Sequence, residues 1–322
     1  MRVVRIALVL VAVACLVVFA FAYSAYRRDL QEAFRRVGTG SQIAQTRCGP
    51  IEYASAGEGL PLLTVHGAGG GFDQGVALAS QLLGEGGFRG IAPSRFGYLR
   101  TPLPSDASAE AQADAFACLL DTLGIDRVPV LGVSAGGPSA LQFALRHPQR
   151  CSALILMVPA SFAPGEGAQP RNARPLSPIL NTLMRSDAAF WLATELARRS
   201  MIENILGTPI AVAERASAAE REELDATLMS VLPVSRRWAG LLNDAAVVST
   251  LTRPPLEQIT APTLLISAED DLYGTYRGAQ YAADHIPGAR FIGYRDGGHL
   301  LIGHSGEVRK EIAAFASKHG TS

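Results

Sequence analysis

Hydrophobic positions in this chain follow three patterns. The first is an unbroken apolar run, IALVLVAVACLVVFAFAY, over residues 6–23, flanked by Arg2 and Arg5 before it and Arg27 and Arg28 after it. As a helix it reaches about 27 Å, close to the roughly 30 Å hydrocarbon core of a bilayer, so it is long enough to cross one. Ala20-Phe21-Ala22 also offers the small-x-small pattern of a cleaved secretory signal, which stays open as the alternative.

The second pattern is an alternation of short apolar runs with segments of helical period. Strands are predicted at 51–54, 62–65, 90–92, 128–134, 153–158, 262–267 and 290–294, and helices at 76–83, 108–123, 136–146, 275–285 and 307–316. Such alternation predicts βαβ units and a parallel sheet. The third pattern interrupts it: from 159 to 255 only helical periods occur, at 179–184, 188–199 and 215–232. The chain therefore divides into a membrane-addressing segment (1–28), a polar stalk or helix (29–47), an α/β body (48–158 and 256–322) and a helical insertion (159–255).

Composition narrows the function classes. With 322 residues, 48% of them hydrophobic, the chain is too apolar for disorder and large enough for a full core. The 29 basic and 29 acidic residues cancel, and no basic stripe stands out, so nucleic acid is not an expected partner. The zero averages two unlike regions, because four arginines and no acid lie in residues 1–28, leaving a mildly acidic body. Arginines at both ends of the apolar run say little about orientation. The body is nonetheless expected on the exported side of a membrane, or secreted if the segment is cleaved. Cys48, Cys118 and Cys151 follow the run and allow at most one disulfide. No Cys/His spacing suggests a zinc site, so no metal is expected.

The candidate chemistry lies in loops after the strands. Gly132-Val133-Ser134-Ala135-Gly136 fits G-x-S-x-G, following a buried strand and opening a helix. In that setting the glycines permit a strained turn that presents the serine hydroxyl, while helix amides favour developing negative charge. A serine at neutral pH is a poor nucleophile and needs a base held by a third group, in the chain order Ser, acid, His. Candidate acids are Asp270 and Asp271 after the strand at 262–267, and Asp296. His299 is the base candidate, with His304 a turn further on. His66, His147, His285 and His319 read as structural or exposed. His66-Gly67-Ala68-Gly69-Gly70-Gly71 follows another strand, and its backbone amides suit an oxyanion: the Ala68 amide, or that of Gly69, would complement the amide of Ala135. Neither GxGxxG nor GxxxxGK[ST] is present, so this is not read as a phosphate loop.

Taken in order, HGAGGG, GVSAGG, PTLLISAEDD and GGHLLIGH give a sequence that resembles the α/β-hydrolase superfamily, in the branch with a helical cap after the sixth strand. The resemblance covers about residues 48–317. It implies an α/β fold with an eight-stranded, mostly parallel sheet, helices on both faces, and a Ser134, Asp271, His299 triad. Asp271 is preferred because it stands three residues after Ala268, where relatives usually have a Gly and then the acid at that offset; Asp270 is the alternative acid. The chain departs from relatives at Ala268 and in Ser94-Arg95-Phe96-Gly97-Tyr98, which lacks an Asp that many carry near there.

The implied activity is acyl hydrolysis of a small-molecule ester through an acyl-enzyme on Ser134, with no cofactor. A perhydrolase or carbon-carbon bond hydrolase on the same triad, and a non-catalytic binding protein, are the alternatives. Apolar cap residues are expected to roof an acyl or aryl group or to form the cap's own core: Phe162, Leu176, Ile179, Leu180, Leu183, Met184, Phe190, Trp191, Leu192, Trp238, Leu241 and Leu242.

Overall fold

The computed structural model describes residues 2–83, 87–165, 181–182 and 184–320. Eight strands form one sheet: β1 (Gln42–Thr46), β2 (Gly49–Ala56), β3 (Leu60–Val65), β4 (Phe88–Pro93), β5 (Val128–Val133), β6 (Cys151–Met157), β7 (Thr263–Ala268) and β8 (Arg290–Tyr294). Their order is β1-β2-β4-β3-β5-β6-β7-β8, antiparallel at β1/β2 and β2/β4 and parallel elsewhere. The central strands are near-continuous apolar runs because both faces are covered. Their alternation sorts side chains onto the two faces. Leu63, Val65, Val130, Leu154, Leu156 and Leu265 pack with helices α3 (Ala109–Thr122), α4 (Gly137–Arg146) and α10 (Thr275–His285). Leu62, Leu131, Ile155, Leu264 and Ile266 pack with α2 (Phe72–Leu83) and α11 (Ser305–His319).

Between β6 and β7 the described part of the insertion forms α5 (Asp187–Leu196), α6 (Arg198–Ile205), α7 (Ile210–Arg215), α8 (Ala218–Ser230) and α9 (Trp238–Ser249), with a core of its own. Two predicted helices are each divided. The pattern over 188–199 breaks at Ala197, which leaves the helical region at ψ 35°. The pattern over 215–232 breaks at Ser217, whose side chain caps α8 in a reciprocal box with Glu220. Of the helix expected at 179–184, residues 179, 180 and 183 lie outside the described residues, as does Leu176.

The N-terminal segment differs most from expectation. A single helix, α1, runs Arg2–Gly38. Its apolar portion is wholly exposed and is long and apolar enough to cross a membrane. Residues 29–47 begin as a helix, one of the two forms expected, but do not hold the body off: α1 continues to Gly38 and packs on the protein, and β1 then pairs with β2. Ala25, Tyr26, Asp29, Leu30, Ala33 and Val37 recur at helical spacing and face the protein, with Ala33 and Val37 buried. Tyr26 meets Trp191 of α5 edge-on at 5.5 Å, and the Trp191 indole donates to Asp29 Oδ2 at 3.0 Å. Nearer the helix end, Arg36 pairs with Asp73 of α2.

Cys48, in the β1–β2 turn, is joined to Cys118 of α3 by a disulfide. Cys151 is buried, and burial pushes its thiol up to about 12.

Candidate active site

Ser134 follows β5 directly, 7% exposed, with φ of +51°, a conformation that costs a non-glycine residue energy. The flanking glycines make the turn possible. A Cβ on Gly132 would lie 2.5 Å from the Ala140 methyl, and one on Gly136 2.7 Å from the carbonyl oxygens of Val65 and His66. Ser134 opens a 3₁₀ turn leading into α4, so the Ala135 amide belongs to a helical N-terminus without an intrahelical partner.

Asp271, after β7, has a fully buried side chain, and its Oδ2 lies 2.9 Å from His299 Nδ1. The same carboxylate accepts from the Tyr273 amide at 2.8 Å and from the Thr275 hydroxyl. Charge-assisted bonds of this kind hold a carboxylate in one orientation. The structure sets Asp271 against His299 and gives Asp270 another position: Asp270 Oδ1 accepts from the Gly298 amide at 2.8 Å, one residue before His299. Asp296 is half exposed and lies 3.2 Å from His304, away from the Asp271–His299 pair.

The third loop lies against the serine. A Cβ on Gly67 would sit 3.1 Å from Ser134 Cβ. Of the two oxyanion candidates here, the Gly69 amide donates to Tyr98 Oη at 3.2 Å. Among the described residues the Ala68 amide has no partner. His66 is a structural member of the loop: its Nε2 accepts from the Arg95 amide at 3.0 Å, and burial, reinforced by the Arg95 charge, holds its pKa well below 6.5.

Several residues that sequence reasoning did not single out fasten these loops to the cap. Arg95 donates to the carbonyls of His66 (2.9 Å) and Gly67 (3.1 Å) and forms a buried bidentate pair with Asp244 of α9. Tyr98 donates to the same Asp244 carboxylate. Burial, with the negative charge of Asp244 beside it, raises the Tyr98 pKa well above 10.0. Arg237, fully buried beside α9, donates to the Gly70 carbonyl and pairs with Asp73 at 2.8 Å. The Gly207 carbonyl, between α6 and α7, accepts from the amides of Leu272 (3.0 Å) and His299 (3.3 Å), joining the acid and histidine loops. Contacts between residues this far apart leave no local sequence signal, although the departure at Ser94–Tyr98 marked the right loop.

Ser134 and His299 line one cavity of about 850 Å³. Its cap side is mixed: Met184, Ile205, Leu206, Leu224, Val231 and Leu241 line it together with the polar residues Glu203, Asn204, Glu223, Thr227, Ser230 and Asp244. Exposed residues along its lining are Ala68 in the loop before α2, Ala77 and Gln81 of α2, Asn204 of α6 and Ala226 of α8. Of the expected roof residues, Met184 and Leu241 line this cavity. Phe190 and Trp191 are buried in the cap's own core, Leu192 and Leu242 are exposed, and Phe162 borders a separate small pocket. Among the described residues no cluster of His, Cys, Asp and Glu is placed to hold a metal.

This geometry can be set beside known proteins. The family model for the alpha/beta hydrolase fold matches residues 61–303. The chain belongs to that family. The hydrolase is 26% identical over 263 residues to YcgS, an uncharacterized hydrolase of Bacillus subtilis, covering 79% of this chain and 89% of that one. It is 29% identical over 243 residues to 2-hydroxy-6-oxononadienedioate/2-hydroxy-6-oxononatrienedioate hydrolase of Paraburkholderia xenovorans, covering 69% and 75% of the two chains. A solved thermophilic esterase from Thermogutta terrifontis superposes with a TM-score of 0.64 at 25% identity, covering 88% of this chain and all of that one.

Proposed function

We propose that the hydrolase cleaves a carboxylic ester, or a related acyl bond, through an acyl-enzyme on Ser134. The observation that carries this reading is the buried Asp271–His299 pair at 2.9 Å, with His299 sharing one cavity with a serine held at positive φ. With Asp271 bound at Nδ1, His299 keeps Nε2 free to take the Ser134 proton. Ser134 then attacks the acyl carbon, and the amides of Ala68 and Ala135 receive the oxyanion. The His299 imidazolium returns its proton to the departing alkoxide. Water, deprotonated by the same histidine, releases the acid. The apolar part of the cap lining, Met184, Ile205, Leu206, Leu224, Val231 and Leu241, supports an aliphatic or aryl acyl group. No step calls for a cofactor.

Similarity to the Paraburkholderia hydrolase favours one second reading, carbon-carbon bond hydrolysis on the same residues. Parallel assays separate the two: a series of p-nitrophenyl esters of increasing chain length, and a 2-hydroxy-6-oxodienoate. Hydrolysis of the esters with an acylation burst, and labelling of Ser134 by a fluorophosphonate that Ser134→Ala abolishes, is expected. Cleavage of the dienoate alone would favour the second reading, and no turnover with no labelling would refute both.

For placement, we infer that α1 anchors the hydrolase in a membrane with its catalytic body on the exported side. The exposed apolar helix and the Cys48–Cys118 disulfide, a bond that persists in oxidising compartments, support this. An alkaline phosphatase fusion after Gly38 should be active. An inactive fusion would refute export, and a mature protein beginning after Ala22 would refute the anchor in favour of secretion.

A further inference from the structure

The anchor reading leaves open how the catalytic body sits above the membrane, and helices α1 and α5 bear on that question. The apolar run of α1 ends at Tyr23, and the same helix continues without a break into the stretch packed on the cap. Tyr26 is three residues further on, a rise of about 4.5 Å. The polar interfacial layer of a bilayer adds about 5–7 Å on each side of the hydrocarbon core. If the run fills the core, Tyr26 lies within that layer, and so does Trp191, whose ring it meets at 5.5 Å. Tyrosine and tryptophan favour that depth, where a ring can be apolar on one side and hydrogen-bonded on the other. Tyr26, partly exposed, can meet that layer directly; Trp191, 7% exposed, is buried against Tyr26 and fixes the level of α5.

The helix that carries Trp191 exposes two large aliphatic side chains. Leu192, next to Trp191, is 49% exposed, and Leu196, one turn beyond, is 78% exposed. In water such a pair on one helix gains nothing; beside a membrane span it meets apolar solvent. Arg27 on α1 is exposed as well and suits an anionic headgroup, while the exposed Arg28, Arg198 and Arg199 are paired with Asp29, Asp225 and Glu214.

We propose that cap helix α5 rests on the bilayer, with Leu192 and Leu196 in its interfacial layer, so that α1 and α5 together form the membrane-bound surface. Because α1 has no flexible joint between span and cap, the body is held in one orientation rather than swinging on a tether. This inference rests on the anchor reading, and its test separates the two.

In the full-length chain with Cys15→Ser, single cysteines are introduced as Leu196→Cys, Phe19→Cys and Asp284→Cys and labelled with an environment-sensitive fluorophore. Cys48 and Cys118 are paired, and burial keeps Cys151 protonated and unreactive. Asp284 lies on α10, across the sheet from α2. The proteins are reconstituted into phosphatidylcholine/phosphatidylglycerol vesicles carrying nitroxide lipids at headgroup or mid-chain depth. The expected result is mid-chain quenching at Phe19→Cys, headgroup-level quenching with a blue shift at Leu196→Cys, and neither at Asp284→Cys. Quenching at Phe19→Cys with none at Leu196→Cys, or equal quenching at Leu196→Cys and Asp284→Cys, would overturn the docking and leave the anchor intact. No quenching at Phe19→Cys would overturn both.

Discussion

Asp244→Ala is expected to destabilise the hydrolase and to slow it, through one buried contact. Asp244 and Arg95 expose only 7% and 6% of their side chains. They meet through two hydrogen bonds, one of 2.7 Å, and the carboxylate also accepts from Tyr98. Removing it leaves a guanidinium with two carbonyl partners but no counter-charge, and a buried phenol without an acceptor. Breaking a buried pair from one side costs about 3–5 kcal/mol. Arg95 and Tyr98 also hold the loop that presents the Ala68 amide. Losing one oxyanion donor lowers kcat by about 10²–10³, which sets the ceiling for a displaced loop. Urea unfolding and ester turnover should therefore fall together in Asp244→Ala. Asp244→Asn, which keeps hydrogen-bonding capacity without the charge, should fall between it and the parent. Asp244→Leu with Arg95→Met should recover part of the stability, because it removes both charges but leaves the Tyr98 hydroxyl and the His66 and Gly67 carbonyls without these partners, and should not recover kcat. Asp244→Ala within about 1 kcal/mol of the parent, with kcat unchanged, would refute the reasoning.

Other expectations follow from the same geometry. Asp271→Asn should lower kcat by about four orders of magnitude, since an amide facing Nδ1 favours the tautomer with the proton on Nε2, whereas Asp270→Asn should cost far less; steady-state kinetics on the pair decides it. Gly207→Ala, at φ +57° with a Cβ 2.5 Å from the Tyr273 ring and 3.0 Å from His299 Cβ, should reduce kcat more than it raises KM. Because burial holds the folded His66 pKa below its unfolded value of 6.5, stability from its neutral form is complete above that value and declines as pH falls below it. His66→Gln should flatten that slope in urea midpoints measured from pH 7 to 5. Reducing the Cys48–Cys118 bond, 70 residues apart, should cost about 4 kcal/mol by chain entropy, readable as a lower urea midpoint in dithiothreitol.

The strands and the three site loops were legible in the sequence because their signals are local. A buried strand is a short apolar run, and the serine turn needs glycine at both 132 and 136 for contacts within one βα unit. Strand β1 was not legible: QIAQT buries only Ala44, so nothing in its pattern competes with a polar linker. The docking of α1 was overshadowed by the apolar run before it, although the stripe through Ala33 and Val37 was present. Between Asp270 and Asp271 the residues themselves do not decide, because the outcome is which carboxylate meets the Tyr273 amide, the Thr275 hydroxyl and the imidazole; only the offset from Ala268, read through the resemblance, favoured Asp271. Asp244 acts on Arg95 across 149 positions and Gly207 on His299 through a backbone carbonyl, so neither leaves a trace in spacing.

The way the cap is fastened bears on how substrate and product travel. A lid that lifted clear of Ser134 would have to part Asp244 from Arg95. At about 3–5 kcal/mol for breaking that pair, the lifted form would make up only about one molecule in 10² to 10⁴. Traffic past the exposed lining residues of α2 and α8, among them Ala77, Gln81 and Ala226, needs no such rupture. The side chains along that route, rather than a hinge rate, would then set how fast product leaves.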